Sequence, residues 1–209
     1  MTSPTNDEAF LAPLHHTDAP ELQALGERLA RSAADAGLLD VAYRTVDTPV
    51  GTLLLAATER GVARVAFARE DHDLVLADLA ARISPRILQA PGRLELAVRE
   101  LEEYFGGRRQ TFDVALDLSL AAGFRREVLV HLPEVRYGTT ASYTTLALRS
   151  GRPLAVRAAA SACARNPLPV LLPCHRIVRS DSSLGGYIGG LEAKQALLTL
   201  ESSAGTGPA

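Results

Sequence analysis

The chain has 209 residues, 47% hydrophobic and 22% charged, the balance of a soluble globular protein able to bury a core in one or two small domains. No stretch approaches the roughly 20 unbroken apolar residues of a membrane span, the polar Met1–Thr17 segment predicts no secretory signal, and two cysteines without paired spacing argue against a disulfide framework and fit a reducing, cytoplasmic setting. The net charge of -2 hides an asymmetry: nine arginines and two glutamates give residues 124–179 a charge of +7, which leaves -9 for the rest. A basic segment beside an acidic one fits a polyanion such as nucleic acid, although arginines on solvated faces are the common alternative.

Residues 1–17 predict disorder. Leu22, Leu25 and Leu29 then recur at helical spacing within residues 19–36, with Glu21 and Glu27 early and Arg28 and Arg31 later, predicting an amphipathic helix. Residues 1–38 thus read as an N-terminal extension with one helix. Residues 41–46, 50–57 and 62–67 read as three strands of an antiparallel meander, turning at Asp47-Thr48-Pro49 and Glu59-Arg60-Gly61. Helical patterns over 71–83 and 94–105 and an alternating stretch at 111–118 complete an α/β domain over residues 39–118. Its lack of clustered polar residues suggests scaffold rather than chemistry.

From Ala122 onward, in a third region spanning residues 119–209, the pattern is mainly helical. A helix over 124–132 stops at Pro133, and Ser142 stands where an N-cap belongs for a helix over 143–149. Ser150-Gly151-Arg152 makes a turn, and Pro153 suits the first turn of a second helix over 154–164. Two short helices joined by a glycine-containing turn form a helix-turn-helix pattern. The second helix presents Arg157 beside the small residues Ala158, Ser161 and Ala162, with Arg165 behind them. Small residues permit close approach to DNA, while tight helix packing is the plain alternative.

Asn166-Pro167 ends that helix, and asparagine bonds readily to nearby backbone, so a rigid hinge is expected there. The run Leu168-Pro-Val-Leu-Leu-Pro173 then predicts a rigid, extended, buried approach to Cys174. With His175 and Arg176 beside it, the thiol is expected to gain thiolate character from positive neighbours. Simple burial of a small apolar residue is the competing reading. Gly185-Gly186-Tyr187-Ile188-Gly189-Gly190 suggests tight backbone turns against a ligand with the tyrosine ring as one wall. A last helix over 191–200 leads to Glu201, and a frayed tail follows. No cysteine–histidine cluster has metal-ligand spacing, so no metal and no cofactor is expected.

Together, Tyr137-Gly-Thr-Thr-Ala-Ser-Tyr143, Ala155-Val-Arg157-Ala, Asn166-Pro, Pro173-Cys174-His175-Arg176-Ile-Val, Gly186-Tyr187-Ile-Gly-Gly and Glu201 resemble the C-terminal domain of the O6-alkylguanine-DNA alkyltransferases. This family is also called the methylated-DNA–protein-cysteine methyltransferases. The region 39–118 is similar to the family's ribonuclease-H-like domain by order of elements. The resemblance implies an α/β ribonuclease-H-like domain followed by a mainly helical, winged-helix-like domain. It also implies an activity: irreversible, single-turnover transfer of an alkyl group from guanine O6 in double-stranded DNA to Cys174.

The same resemblance assigns roles. His175 removes the thiol proton through a water, Glu201 orients His175, and Asn166 belongs to the receiving pocket. Tyr143 donates to guanine N3 and crowds the adjacent phosphate. Arg157 fills the space of a flipped base, on a helix-turn-helix that enters the minor groove with Ala158, Ser161, Ala162 and Arg165. Pro173, Ile177, Tyr187 and Ile188 line the pocket. The carbonyls of Cys174 and Ile177 accept from the guanine amine, and the amide of Ile188 approaches O6.

Departures from the family are Leu129 where a tryptophan is usual, Ile188 where serine or arginine-like residues are common, and no counterparts of the zinc ligands of some relatives. O4-alkylthymine activity, alkyl-size preference and self-association on DNA stay open. A non-catalytic lesion sensor and a cysteine hydrolase are the weaker alternatives.

Overall fold

The computed structural model describes residues 19–203. The expectations for residues 1–17 and for 204–209 lie outside the described residues. Helix α1 (Ala19–Asp35) is the helix read from the leucine spacing. It packs Ala30 and Ala33 against Leu39, Ala42 and Ala90, while Leu22, Leu25 and Leu29 stay exposed.

Strands β1 (Val41–Val46), β2 (Leu53–Thr58) and β3 (Gly61–Phe67) form the expected antiparallel meander. All of β2 is buried, because successive side chains point to opposite faces and both faces are covered. Leu53, Leu55 and Ala57 face the main core with α3 (Glu95–Phe105). Leu54 and Ala56 face Val75 and Leu79 of α2 (His72–Arg82), whose N-cap is Asp71.

Two expectations need correction here. A fourth strand, β4 (Ile87–Gln89), adds to β1 in parallel, giving the order β3-β2-β1-β4. A strand of three residues, set in the five between Pro85 and Pro91, is too short to show an alternating pattern. Conversely, the alternating stretch 111–118 is not a strand; its only ladder contact is one bridge from Leu116 to Val62. Its amides find other partners: Glu100 accepts from Asp113 N and Val114 N at 2.9 and 3.1 Å, and Asp117 N donates to Val62 O at 2.8 Å beside the bridge.

The remaining elements are α4 (Gly123–Val130), β5 (Ala141–Ser142), α5 (Tyr143–Arg149), α6 (Val156–Ala164), β6 (Ile177–Val178) and α7 (Leu191–Ser203). Ser142 caps α5 as expected, accepting from Thr145 N at 3.0 Å. Helix α6 begins two residues later than predicted; Pro153 and Leu154 stay in the turn, and Leu154 is 98% exposed. Helix α7 runs through Glu201 to Ser203, so the glutamate lies inside the helix rather than after it.

One core cluster extends from β2, β3 and α3 through α4–α7. The two halves therefore share an interior, and a residue of one half can serve a site in the other. Leu129 is fully buried in that core, where the hydrophobic volume is filled without a tryptophan.

Candidate active site

The segment before Cys174 is buried, as expected, but it is not extended. Leu172 N donates to Leu168 O at 2.8 Å and Cys174 N to Leu172 O at 2.7 Å, so the chain coils tightly. Val170 takes φ 74°, a positive φ that costs a β-branched residue of order 1–3 kcal/mol. Packing and Asn166 hold the coil in place. The fully buried Asn166 accepts from Leu168 N at 3.0 Å and donates through Nδ2 to Leu172 O at 2.9 Å and Cys174 Sγ at 3.2 Å. One amide thus joins the start of the coil, its end and the sulfur.

Cys174 opens a short 3₁₀ turn (Cys174–Arg176) with Pro173 as its cap, and β6 follows directly. The parallel register Ala141↔Ile177 and Ser142↔Val178 brings Tyr143 alongside.

His175 is fully buried, and its Nε2 lies 2.8 Å from Oε1 of Glu201. Glu201 also accepts from Tyr104 Oη at 2.8 Å, from Arg176 Nε at 2.9 and 3.1 Å and Nη2 at 2.9 Å, and from Gly138 N at 3.1 Å. Gly138, at φ 72°, has Glu201 O only 3.2 Å from where a Cβ would sit, so a side chain there would press on the helix carrying the carboxylate. Burial alone would raise the Glu201 carboxyl; the hydrogen bonds from His175 and Arg176 outweigh it and hold the group down to about 2.

These contacts correct the expected electrostatics of the thiol. Arg176 is engaged with Glu201 and with Val135 O at 2.7 Å, and burial lowers the pKa of His175, which keeps it neutral. Burial pushes the Cys174 thiol up to about 11, opposed by the Asn166 hydrogen bond and the charge of Lys194. The resting group is therefore a thiol. Among the described residues, Nδ1 of His175 makes no protein hydrogen bond, which leaves its lone pair as the acceptor if Nε2 carries the proton toward Glu201.

Tyr143 and Tyr187 both lie close enough to Cys174 for its charge to act on their hydroxyls. Burial raises the Tyr143 hydroxyl to about 12, so it remains a proton donor at neutral pH. The Tyr187 ring meets His175 at 6.3 Å and Phe67 at 5.7 Å, edge-on to both. A Cβ on Gly189 would lie 2.6 Å from the Phe67 ring, so only glycine lets this loop lie flat on β3. The Ile177 carbonyl already accepts from Lys194 Nζ at 2.6 Å and retains one lone pair. Pro173 and Ile177 are buried and Ile188 half-buried.

Sequence reasoning missed two participants. Tyr104 belongs to the half read as scaffold, and nothing local marks it. Lys194 occupies a helical position that resembles a solvated one, yet it is fully buried and donates to Ile177 O and Leu184 O. Lys194→Met is expected to leave both carbonyls without their donor and to cost about 1–3 kcal/mol, read as a lower urea midpoint at unchanged slope.

On α6, Arg157 and Ala158 are exposed, Ser161 is half-buried, and Arg165 is exposed with Nη2 2.9 Å from Ser161 Oγ. Ala162 departs from the expectation: it is 1% exposed and packs into the core, a quarter-turn round the helix from Ser161.

Helices α5 and α6, joined by a tight turn beside a buried thiol and a histidine held by a carboxylate, give the outline of a helix-turn-helix protein built around a cysteine. Two family models match the chain: "6-O-methylguanine DNA methyltransferase, ribonuclease-like domain" over residues 41–118 and "6-O-methylguanine DNA methyltransferase, DNA binding domain" over 123–203. The chain belongs to this family. A methylated-DNA–protein-cysteine methyltransferase of Methanosarcina barkeri is 34% identical over 159 residues, 76% of this chain and 96% of the relative. The crystal structure of the Mycobacterium tuberculosis O6-methylguanine methyltransferase superposes with a TM-score of 0.70 at 35% identity, covering 81% of this chain and 96% of that one. The same organism's enzyme in complex with DNA matches with a TM-score of 0.67 at 34% identity, covering 78% and 94%.

Proposed function

We propose that this protein repairs DNA by direct reversal, moving the alkyl group of O6-alkylguanine in double-stranded DNA onto Cys174. Family membership supports the reaction class; the Cys174–Asn166 and His175–Glu201 pairs carry the assignment of residues. Sγ attacks the alkyl carbon, a C–S bond forms, and the C–O6 bond breaks with its electron pair left on the guanine. The thiol proton passes to His175 Nδ1, by way of water, and Tyr143 donates to the departing base. Thioethers are not hydrolysed under ordinary conditions, so each molecule acts once.

Alkylguanine must leave the stack to reach a sulfur that is only 3% exposed. The exposure of Arg157 on α6 supports the role of filling the space left behind. Arg157→Ala is expected to slow repair of duplex DNA much more than transfer from the free base O6-benzylguanine. Equal slowing of both would remove the flipping role. The free thiols Cys163 and Cys174 fit work in a reducing cytoplasm.

The deciding experiment is intact mass after incubation with duplex DNA containing O6-methylguanine. One added methyl, mapped to Cys174 and absent from Cys174→Ser, is the expected result. Methylation elsewhere, or none, would overturn the assignment.

A further inference from the structure

A polar cleft of about 250 Å³ lies at the junction of the two halves and is lined by Arg64, Arg82, Arg125, Arg165, Asp78 and Ile188 among others. Four arginines against one aspartate leave an excess of +3 in its walls. Arg64 is paired with Glu70 and Arg82 with Asp78, the latter at 3.1 Å between two half-exposed side chains. Arg125 and Arg165 have no carboxylate within ion-pair distance among the described residues. Arg125 donates only to Leu120 O at 2.8 Å, and Arg165 only to Ser161 Oγ at 2.9 Å.

The guanidiniums of Arg82 and Arg125 converge on the same carbonyl, Leu120 O, at 3.0 and 2.8 Å. Two cations held on one oxygen repel each other, and a third, Arg165, faces the same space. Their mutual effect is visible on Arg125, whose pKa burial lowers first and the charges of Arg165 and Arg82 lower further. Arginine's forked donors match phosphate oxygens, and an anion seated there would relieve the repulsion. Arg165 caps the end of α6 and bonds back to Ser161 of that helix, and the exposed Ala164 in its last turn also lines the cleft.

We propose that Arg82, Arg125 and Arg165 form a phosphate-binding cleft that takes a backbone phosphate of the DNA held by α6. This rests on the DNA-repair reading, and it gives the N-terminal half, through Arg82, a direct part in DNA binding. A free phosphate monoester presents the same chemistry and is the other source of such an anion.

Binding of the full-length protein to an unmodified duplex, titrated over a range of salt, tests the cleft. Losing the one phosphate contact that the cleft makes should reduce the slope of log K against log salt by about 0.9. Arg82→Gln and Arg125→Gln are each expected to show part of that reduction and the double variant nearly all of it, with Arg82→Lys retaining most of the slope. A purely structural role, through Leu120 O, would weaken binding equally at all salt concentrations and leave the slope unchanged. Inorganic phosphate is titrated in parallel while the melting temperature is followed.

Stabilisation by phosphate of the wild type but not of Arg82→Gln, with duplex slopes unchanged, would keep the phosphate chemistry and assign it to a free anion. Unchanged slopes together with no phosphate stabilisation overturn the cleft. Failure of the wild type itself to bind or repair duplex DNA would refute the repair reading instead, and the phosphate titration would still judge the cleft.

Discussion

Glu201→Ala is expected to lose alkyl transfer and a large part of the fold's stability together. The carboxylate is fully buried and receives hydrogen bonds from Tyr104, His175, Arg176 and Gly138. Its removal leaves Arg176, 5% exposed, with Val135 O and the face of the Tyr137 ring but no anion. Breaking one side of a buried ion pair costs about 3–5 kcal/mol, against a total of about 5–15 kcal/mol for a typical domain. Urea unfolding reads this as a much lower midpoint; a wild-type midpoint would show that the network does not hold the fold.

The same group sets the acid limb. Its folded pKa, about 2, lies below the ordinary 4.5, so its contribution is complete above 4.5 and is lost as pH falls toward 2. A depression of that size is worth roughly 3 kcal/mol. Glu201→Gln, which has no such proton to take up, should lose this acid-dependent part and unfold with a flatter pH response.

Which parts of this site were legible depended on how close in the chain its members lie. Cys174, His175 and Arg176 are adjacent, and Asn166 sits eight residues before the sulfur, close enough for a motif to carry them. Glu201 is legible because it closes the family pattern, although it pairs with a histidine 26 residues earlier. Tyr104 reaches Glu201 across 97 residues, and one tyrosine in an amphipathic helix reads as core. It takes the shared interior of the two halves to turn it into a site residue. Direction was also illegible: adjacency put a positive Arg176 beside the thiol, whereas the 3₁₀ turn sends its guanidinium to the carboxylate. Strand β4 and the stretch 111–118 failed for related reasons, since a three-residue strand has no period and carboxylates can replace a ladder.

Loss of His175 should change the pH dependence of transfer as well as its rate. With the thiol held near 11, only about one molecule in ten thousand carries a thiolate at pH 7. If that thiolate formed by release of its proton to solvent, the single-turnover rate would climb tenfold per pH unit toward 11. If His175 takes the proton, the rate follows the neutral imidazole instead. Burial lowers that pKa below the ordinary 6.5, so the neutral form already dominates at pH 7 and the rate should be level above it. The wild type is therefore expected to show a flat profile through neutral and mildly alkaline pH. His175→Ala should fall by about 10²–10⁴-fold at pH 7 and acquire the tenfold-per-unit rise, narrowing the gap in base. Glu201 keeps Arg176, Tyr104 and Gly138 as partners in this variant, so the fold persists and its melting curve verifies that. A wild-type rate that rises tenfold per unit would remove His175 as the base and leave it as a structural neighbour of the thiol.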